Sequence, residues 1–244
     1  KARRDAVRQT IVSARPDLVC LQETKKASIS RFMVMSLLGS EFDHFICLPA
    51  LGTRGGILVA WKGGTCKVLQ TRVDFFSVSV QVDHISGTPW WFTGVYGPQP
   101  DDQKLQFLNE LRSIRSACFG PWIIGGDFNL IYRAEDKNNG NLDRAMMGRF
   151  RRILNELNLS ELPLMGRKFT WSNERASPTL VRLDWGIISR TAYYKVRHHS
   201  FQTTVLFCWG CMSIPRAGDG FTLKAIGQNW KVLWRRWKNL GCSQ

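Results

Sequence analysis

Hydrophobic positions along this chain fall into short runs separated by polar turns, with three longer stretches at helical spacing. Residues 18–21, 55–61 and 122–124 are unbroken apolar runs of the kind that form strands covered on both faces. Residues 75–82 alternate instead, with Phe76, Val78, Val80 and Val82 set against Ser77, Ser79 and Gln81, which predicts a half-buried strand. A turn at 83–87 leads into a strand over 90–96 that Gly97-Pro98 ends. A turn at 166–168 precedes an aromatic strand to Asn173, and 181–188 reads as one more strand. Helices are predicted over 2–14 (Val7, Ile11, Ala14), 101–118 (Leu105, Leu108, Leu111, Ile114) and 143–158 (Met147, Phe150, Leu154, Leu157). Pro16-Asp17 breaks the first, and arginines fill the outer face of the third, usually just a solvated face. Many strands with flanking helices, no repeats and no low-complexity linker predict one α/β domain.

Three acids stand at the ends of such strands or within one. Glu23 follows the 18–21 run, Asp127 follows Gly125-Gly126, and Asp184 lies inside an apolar strand. A carboxylate there is costly unless a metal, a partner or a substrate compensates it. Ligands of open α/β sheets gather at strand carboxyl ends, so Glu23 and Asp127 could meet. The glycines are expected to end the Trp122 strand. If extended geometry persists beyond them, Asp127 and Asn129 project to one side. A plain Asp-x-Asn turn is the alternative, as is a loop or capping acid for Glu23 and a rim aromatic for Tyr96.

A formal net charge of +15 on 244 residues suits a polyanion partner, or simply a solvated surface. Seven scattered cysteines, an odd number, predict reduced thiols and an intracellular setting. Cys208-Trp209-Gly210-Cys211 has redox or zinc spacing but no second pair. No apolar run reaches membrane-spanning length, and the opening Lys1-Ala2-Arg3-Arg4 resembles the interior of a longer sequence rather than a leader.

Taken together, Leu21-Gln22-Glu23-Thr24, Tyr96-Gly97-Pro98, Gly126-Asp127-Phe128-Asn129, Phe169-Thr170-Trp171-Ser172-Asn173 and Arg182-Leu183-Asp184 resemble the endonuclease/exonuclease/phosphatase family. The run from Asp127 through Asn173 is most similar to the apurinic-type endonuclease domain of plant LINE (non-LTR) retrotransposons. That resemblance implies a four-layer α/β sandwich of two mainly antiparallel sheets with outer helices, here with its first and last strands missing. It also implies Mg²⁺- or Mn²⁺-dependent hydrolysis of DNA phosphodiesters, and a nuclear location for a functional copy. DNA is the partner expected, with no membrane and no stable protein partner. By the same match Glu23 holds the metal, Asp127 orients or activates water, and Asn129 binds the scissile phosphate. Tyr96 stabilises the phosphate or leaving group, and Asp184 is a second-tier acid. Trp171 and Asn173 would touch substrate, although core packing is the commoner fate of a tryptophan.

Two motifs of that family are absent: an opening strand ending in Asn and a closing Ser-Asp-His. Neither His198 nor His199 follows an aspartate. Back-translating 201–212 and reading from each third base permits Ser-Asp-His-Cys-Pro-Ile-Leu-Leu-Gly, and the same frame over 220–233 permits a second family-like segment. We therefore expect residues 1–190 to form the domain and 191–244 to be an atypical, frameshifted tail. Its Trp230, Trp234 and Trp237 among basic residues would then be unselected. Encoding DNA whose third-base frame lacks those words refutes this. The reading is a degenerate endonuclease of weak or no activity. Its rivals are a phosphoesterase of the same family acting on a small ester, a non-catalytic basic DNA-binding remnant, and an unstable fragment with open strand edges and no function.

Overall fold

In the computed structural model, residues 8–9, 11–52, 54–83, 89–162, 168–197, 205–208, 212–213 and 224–225 are described; 194–197, 206–208, 212–213 and 224–225 are so by backbone alone. Two six-stranded sheets form the middle of the molecule. The first contains β1 (Leu18–Thr24), β2 (His44–Leu48), β3 (Gly56–Trp61), β12 (Val205–Cys208), β13 (Met212–Ser213) and β14 (Lys224–Ala225), in the order β14-β13-β12-β1-β3-β2. The second contains β4 (Val68–Val73), β5 (Ser77–Val82), β6 (Trp90–Tyr96), β7 (Trp122–Asp127), β8 (Leu159–Leu162) and β11 (Asp184–Ser189), in the order β4-β5-β6-β7-β11-β8. A ribbon of β9 (Trp171–Ser172) and β10 (Leu180–Val181) stands apart. Pairing is antiparallel except between β1 and β12 and between β6 and β7.

Strand parity sorts the side chains into layers. Leu18 and Cys20 of β1 meet Val78, Val80, Phe92, Ile123 and Ile188 of the second sheet in one core. Val19 and Leu21 point the other way, against Ile11 of the first helical stretch and Val34 and Leu38 of α1 (Arg31–Leu38). The outer face of the second sheet is covered by α2 (Asp101–Ala117) and α3 (Arg144–Glu156), where Phe107, Leu111 and Phe150 pack on Trp122, Ile124 and Trp185. The layers are thus helix, sheet, sheet, helix: the expected sandwich. A fourth helix, α4 (Arg190–Arg197), follows β11. Cys20, Cys47, Cys66 and Cys118 are free thiols.

Several local expectations change. β5 is buried on both faces rather than half-buried, because α2 lies over its serine side. Ser77 Oγ donates to Glu110 Oε1 on that helix at 2.7 Å, and the Ser79 and Thr93 hydroxyls pair at 2.8 Å, so the serines are covered yet satisfied. On α2, Phe107 replaces Leu105 on the buried face; Leu105 lies on the opposite side of a 3.6-residue helix and is exposed. The predicted strand at 181–188 splits at Arg182-Leu183 into β10 and β11. Gly125 and Gly126 do not end β7, which runs through them to Asp127. The edge of β1 that a missing strand would leave bare carries β12, paired in parallel from Leu18↔Val205 to Leu21↔Cys208. The turn at 83–87 falls mostly, and His198, His199, the Cys211 end of the CxxC and the tail tryptophans wholly, outside the described residues.

Candidate active site

Three of the predicted residues are aligned by regular strand geometry. Tyr96 on β6 is the register partner of Asp127 on β7, which is in turn the partner of Asp184 on β11. Paired residues on neighbouring strands project to the same face. Counting back by twos from Asp127 reaches Ile123, and from Tyr96 reaches Phe92, both in the layer between the sheets. All three side chains therefore face the first sheet. Tyr96 and Asp127 terminate parallel strands, and Asp184 begins an antiparallel one, so the three collect at one end of the sandwich.

Glu23 reaches the same place by an irregularity. Parity from Val19 and Leu21 would send it outward to the helices. Instead β1 shifts register between Gln22 and Thr24, and Glu23 has φ 54°, a left-handed conformation costly for a residue with a Cβ. Such a bulge re-aims the side chain inward. Gly55 makes room for it: a Cβ there would meet Glu23 Cα at 2.8 Å, Glu23 Cγ at 3.0 Å and Tyr96 Cε1 at 3.1 Å. In the sequence Gly55 reads only as part of a strand. Glu23 Oε1 is held by Lys25 Nζ at 2.9 Å.

Around Asp127 both sequence readings of Asp-x-Asn are partly realised. The Asn129 N–H donates to Asp127 Oδ1 at 2.8 Å, an Asx turn, and Asn129 takes φ 50°. Extended geometry therefore stops at Asp127, and the two side chains do not continue one strand face. Asn129 Nδ2 instead donates to Gly97 O at 2.7 Å, tying the turn to the residue after Tyr96. The second closure is Gly97 N–H to Asp127 O at 2.7 Å. Asp184 is positioned by a residue without an assigned role, the fully buried Thr170, whose Oγ1 accepts from Leu183 N at 2.9 Å and Asp184 N at 3.2 Å. Gln22, likewise unassigned, crosses between the sheets to donate through Nε2 to Gly125 O at 3.3 Å.

Asn173 and Trp171 behave differently from the four. Asn173 Oδ1 accepts from Thr179 N at 2.9 Å and Arg175 N at 3.4 Å, closing the 173–179 loop. Trp171 is half-buried on the separate ribbon, opposite Val181.

Lys25 pairs with Glu23, but the charges that act on Asp127 and Tyr96 are negative. Burial and the neighbouring Asp184 and Glu23 carboxylates push Asp127 well above the ordinary carboxylate range, against the Asn129 N–H that stabilises its charge. Tyr96 is pushed up by burial and by Glu23, Asp127 and Asp184, so its hydroxyl stays protonated and is a hydrogen-bond donor. Among the described residues no three His, Cys, Asp or Glu side chains could enclose a metal alone. A buried carboxylate whose proton affinity its acidic neighbours raise nonetheless fits a hard cation such as Mg²⁺, which takes one or two carboxylates and keeps its water. Glu23, with Asp127 or Asp184, could hold it. No helix among the described residues is long and apolar enough to cross a membrane.

Residues 1–209 match the profile of the Endonuclease/Exonuclease/phosphatase family. The chain belongs to that family. No curated protein matches it closely. Among solved structures, the AP endonuclease LMAP from Leishmania major is similar with a TM-score of 0.57 and 17% identity, over 78% of this chain and 75% of that one. ANGEL2, a 2',3'-cyclic phosphatase, is similar with a TM-score of 0.57 and 14% identity, over 77% and 73%. D. rerio TDP2 complexed with a single-strand DNA product gives 0.51 and 15%, over 78% of each chain. At such identities the likeness is one of fold, and these neighbours act on different substrates.

Proposed function

We propose that this chain is a LINE-retrotransposon-type endonuclease domain that hydrolyses DNA phosphodiesters with Mg²⁺ or Mn²⁺, at a level reduced by degeneration. The observation that carries the reading is the meeting of Glu23 with Asp127, Asp184 and Tyr96 at one end of two sheets, achieved partly through a strained bulge. Neither packing nor folding gains from bringing three acids to a half-buried tyrosine; strain and like charge of this kind collect at functional sites.

Each residue then has a task. Glu23 is the principal cation ligand; a cation bound there supplies charge neutralisation at the phosphate and leaving oxygen. Asp127, with raised proton affinity, accepts a proton from the water that attacks phosphorus as the bond to the leaving oxygen breaks. Asn129 has a second amide hydrogen beyond the one given to Gly97, and offers it to a phosphate oxygen. Tyr96 donates its hydroxyl hydrogen to the same group. Asp184, in register with Asp127, keeps that carboxylate's proton affinity high and would help Glu23 hold a cation. Trp171 borders the substrate path. The net positive charge of +15 attracts the DNA backbone. We keep the domain boundary at residue 190, with an atypical tail after it that nevertheless lends β12–β14 to the first sheet, and a nuclear site of action.

Supercoiled plasmid and an abasic duplex, incubated with the full chain in Mg²⁺, test this. We expect slow nicking that EDTA removes and that falls about 10²–10⁴-fold in Asp127→Ala, the range for losing an acid–base group. Nicking unaffected by that substitution, or cleavage of small phosphate esters but no DNA, would refute it.

A further inference from the structure

A cavity of about 500 Å³ opens beside Glu23 and Tyr96, a size that accommodates a small ligand. Arg54, Phe75, Lys25, Gln99 and Gln103 line it as well. Phe75 is 48% exposed, an apolar ring that folding leaves in water. The Arg54 guanidinium carbon lies 4.2 Å from that ring's centroid, while its Nη1 donates to Phe75 O at 2.8 Å. The Arg54 Nε is buried without a hydrogen-bond partner.

The platform is also rigid. Glu110 on α2 accepts from Phe75 N at 2.9 Å and Phe76 N at 3.1 Å, and the buried Phe76 meets the Phe75 ring edge-on at 4.8 Å. Arg54 closes its own turn by paired backbone hydrogen bonds with Leu51, at 3.0 and 3.1 Å. The half-exposed Phe75 ring and the Arg54 guanidinium line the same cavity as two flat groups, and nucleobases stack well on both aromatic and guanidinium planes.

We infer that this cavity is a nucleobase subsite: an unpaired base of single-stranded DNA stacks on the Arg54–Phe75 platform, with its edge toward Gln99 and Gln103. Glu23 and Tyr96 line the same space, so, resting on the phosphodiesterase reading, the stacked base belongs to a nucleotide adjoining the phosphate that is cut. A base reaches a recessed platform only when free of its duplex partner. The preferred substrate is therefore single-stranded or locally opened DNA, and the platform sets that preference.

Fluorescence anisotropy on the full chain in EDTA separates this from catalysis. The probes are a single-stranded oligonucleotide, the same oligonucleotide with base-free residues, and a duplex of equal length. The single strand should bind about tenfold more tightly than the base-free strand or the duplex, the order of one stacking contact. Arg54→Lys, which keeps charge but loses the plane, and Phe75→Leu should each remove about that tenfold advantage. The slope of log Kd against log salt should not change. Equal affinity of the wild type for the strands with and without bases overturns the inference without recourse to any variant. So does a loss in Arg54→Lys that is equal on single strand and duplex. Plasmid nicking measured in parallel distinguishes the two claims: stacking without nicking leaves the subsite standing alone, whereas nicking without a base preference removes only the subsite.

Discussion

The acids of the two sheets reach the same corner by different means. On the second sheet, Asp127 and Asp184 are neighbours because β7 and β11 pair in strict register, and Tyr96 joins through β6. Nothing there departs from an ordinary strand except Gly126, with φ 146°. On the first sheet, regular parity would turn Glu23 away, and a bulge with a left-handed residue turns it back. The difference teaches that one half of the site is inherited from strand pairing and the other half is made by a local defect. The first half should fail only when the sheet fails. The second should fail alone.

The largest effect is expected where a site glycine lies between the sheets. A Cβ on Gly126 would collide with the Gln22 side-chain amide and with the Val95 carbonyl, which is backbone and cannot swing aside. The left-handed φ adds strain for any side chain. Gly126→Ala should destabilise the chain by roughly 3–5 kcal/mol, the upper range for single substitutions. At about 2–4 °C per kcal/mol for this size, the melting temperature should drop by about 6–20 °C. A drop no larger than that of Gly64→Ala, where a Cβ meets nothing within 4 Å, would show that the sheets are not so closely apposed here.

Gly55 should separate site from fold. Its Cβ would press on Glu23 Cα and Cγ and on the Tyr96 ring, of which the last two can give by a small shift. Gly55→Ala should destabilise by about 1–3 kcal/mol, as overpacking does, while displacing Glu23 from its bulge. Nicking should fall by more than the melting temperature would explain, and the Mg²⁺ concentration for half-maximal rate should rise. Normal metal dependence in that variant would mean that Glu23 needs no help from Gly55.

This contrast also marks how far the sequence could be read. Apolar runs and glycine positions located β1, β3, β6 and β7, and strand ends located Glu23, Tyr96 and Asp127, because pairing and parity are periodic. The bulge was not legible: Gln22-Glu23-Thr24 reads the same in a straight strand, and the cause lies in Gly55, thirty-odd positions away in the chain. Thr170 was equally hidden, since its two acceptor contacts depend on where Leu183 and Asp184 fold back. The burial of Ser77 and Ser79 followed from α2, which alternation within β5 cannot report. Asn173 drew attention by motif and turned out to spend its carbonyl on its own loop.

The smallest effect concerns charge on the regular half of the site, and its sign is opposite to the others. Asp127 holds its proton to a higher pH in the folded chain than in the unfolded one, because burial, Asp184 and Glu23 disfavour the carboxylate. The folded state thus binds more protons between the ordinary carboxylate range, about 4, and that raised value. Stability from this group is full below the ordinary range and declines as pH rises through the window. Asp127→Asn preserves an oxygen to accept from the Asn129 N–H but cannot ionise. The variant should therefore melt higher than the wild type at pH 8, by on the order of 1 kcal/mol or about 2–4 °C, and the gap should shrink toward pH 4. Mg²⁺ should narrow the same gap at pH 8 by stabilising the wild type more than the variant. A gap that is constant across pH, or of reversed sign, would mean that Asp127 is already relieved by a cationic neighbour, and the like-charged corner on which the site depends would not exist.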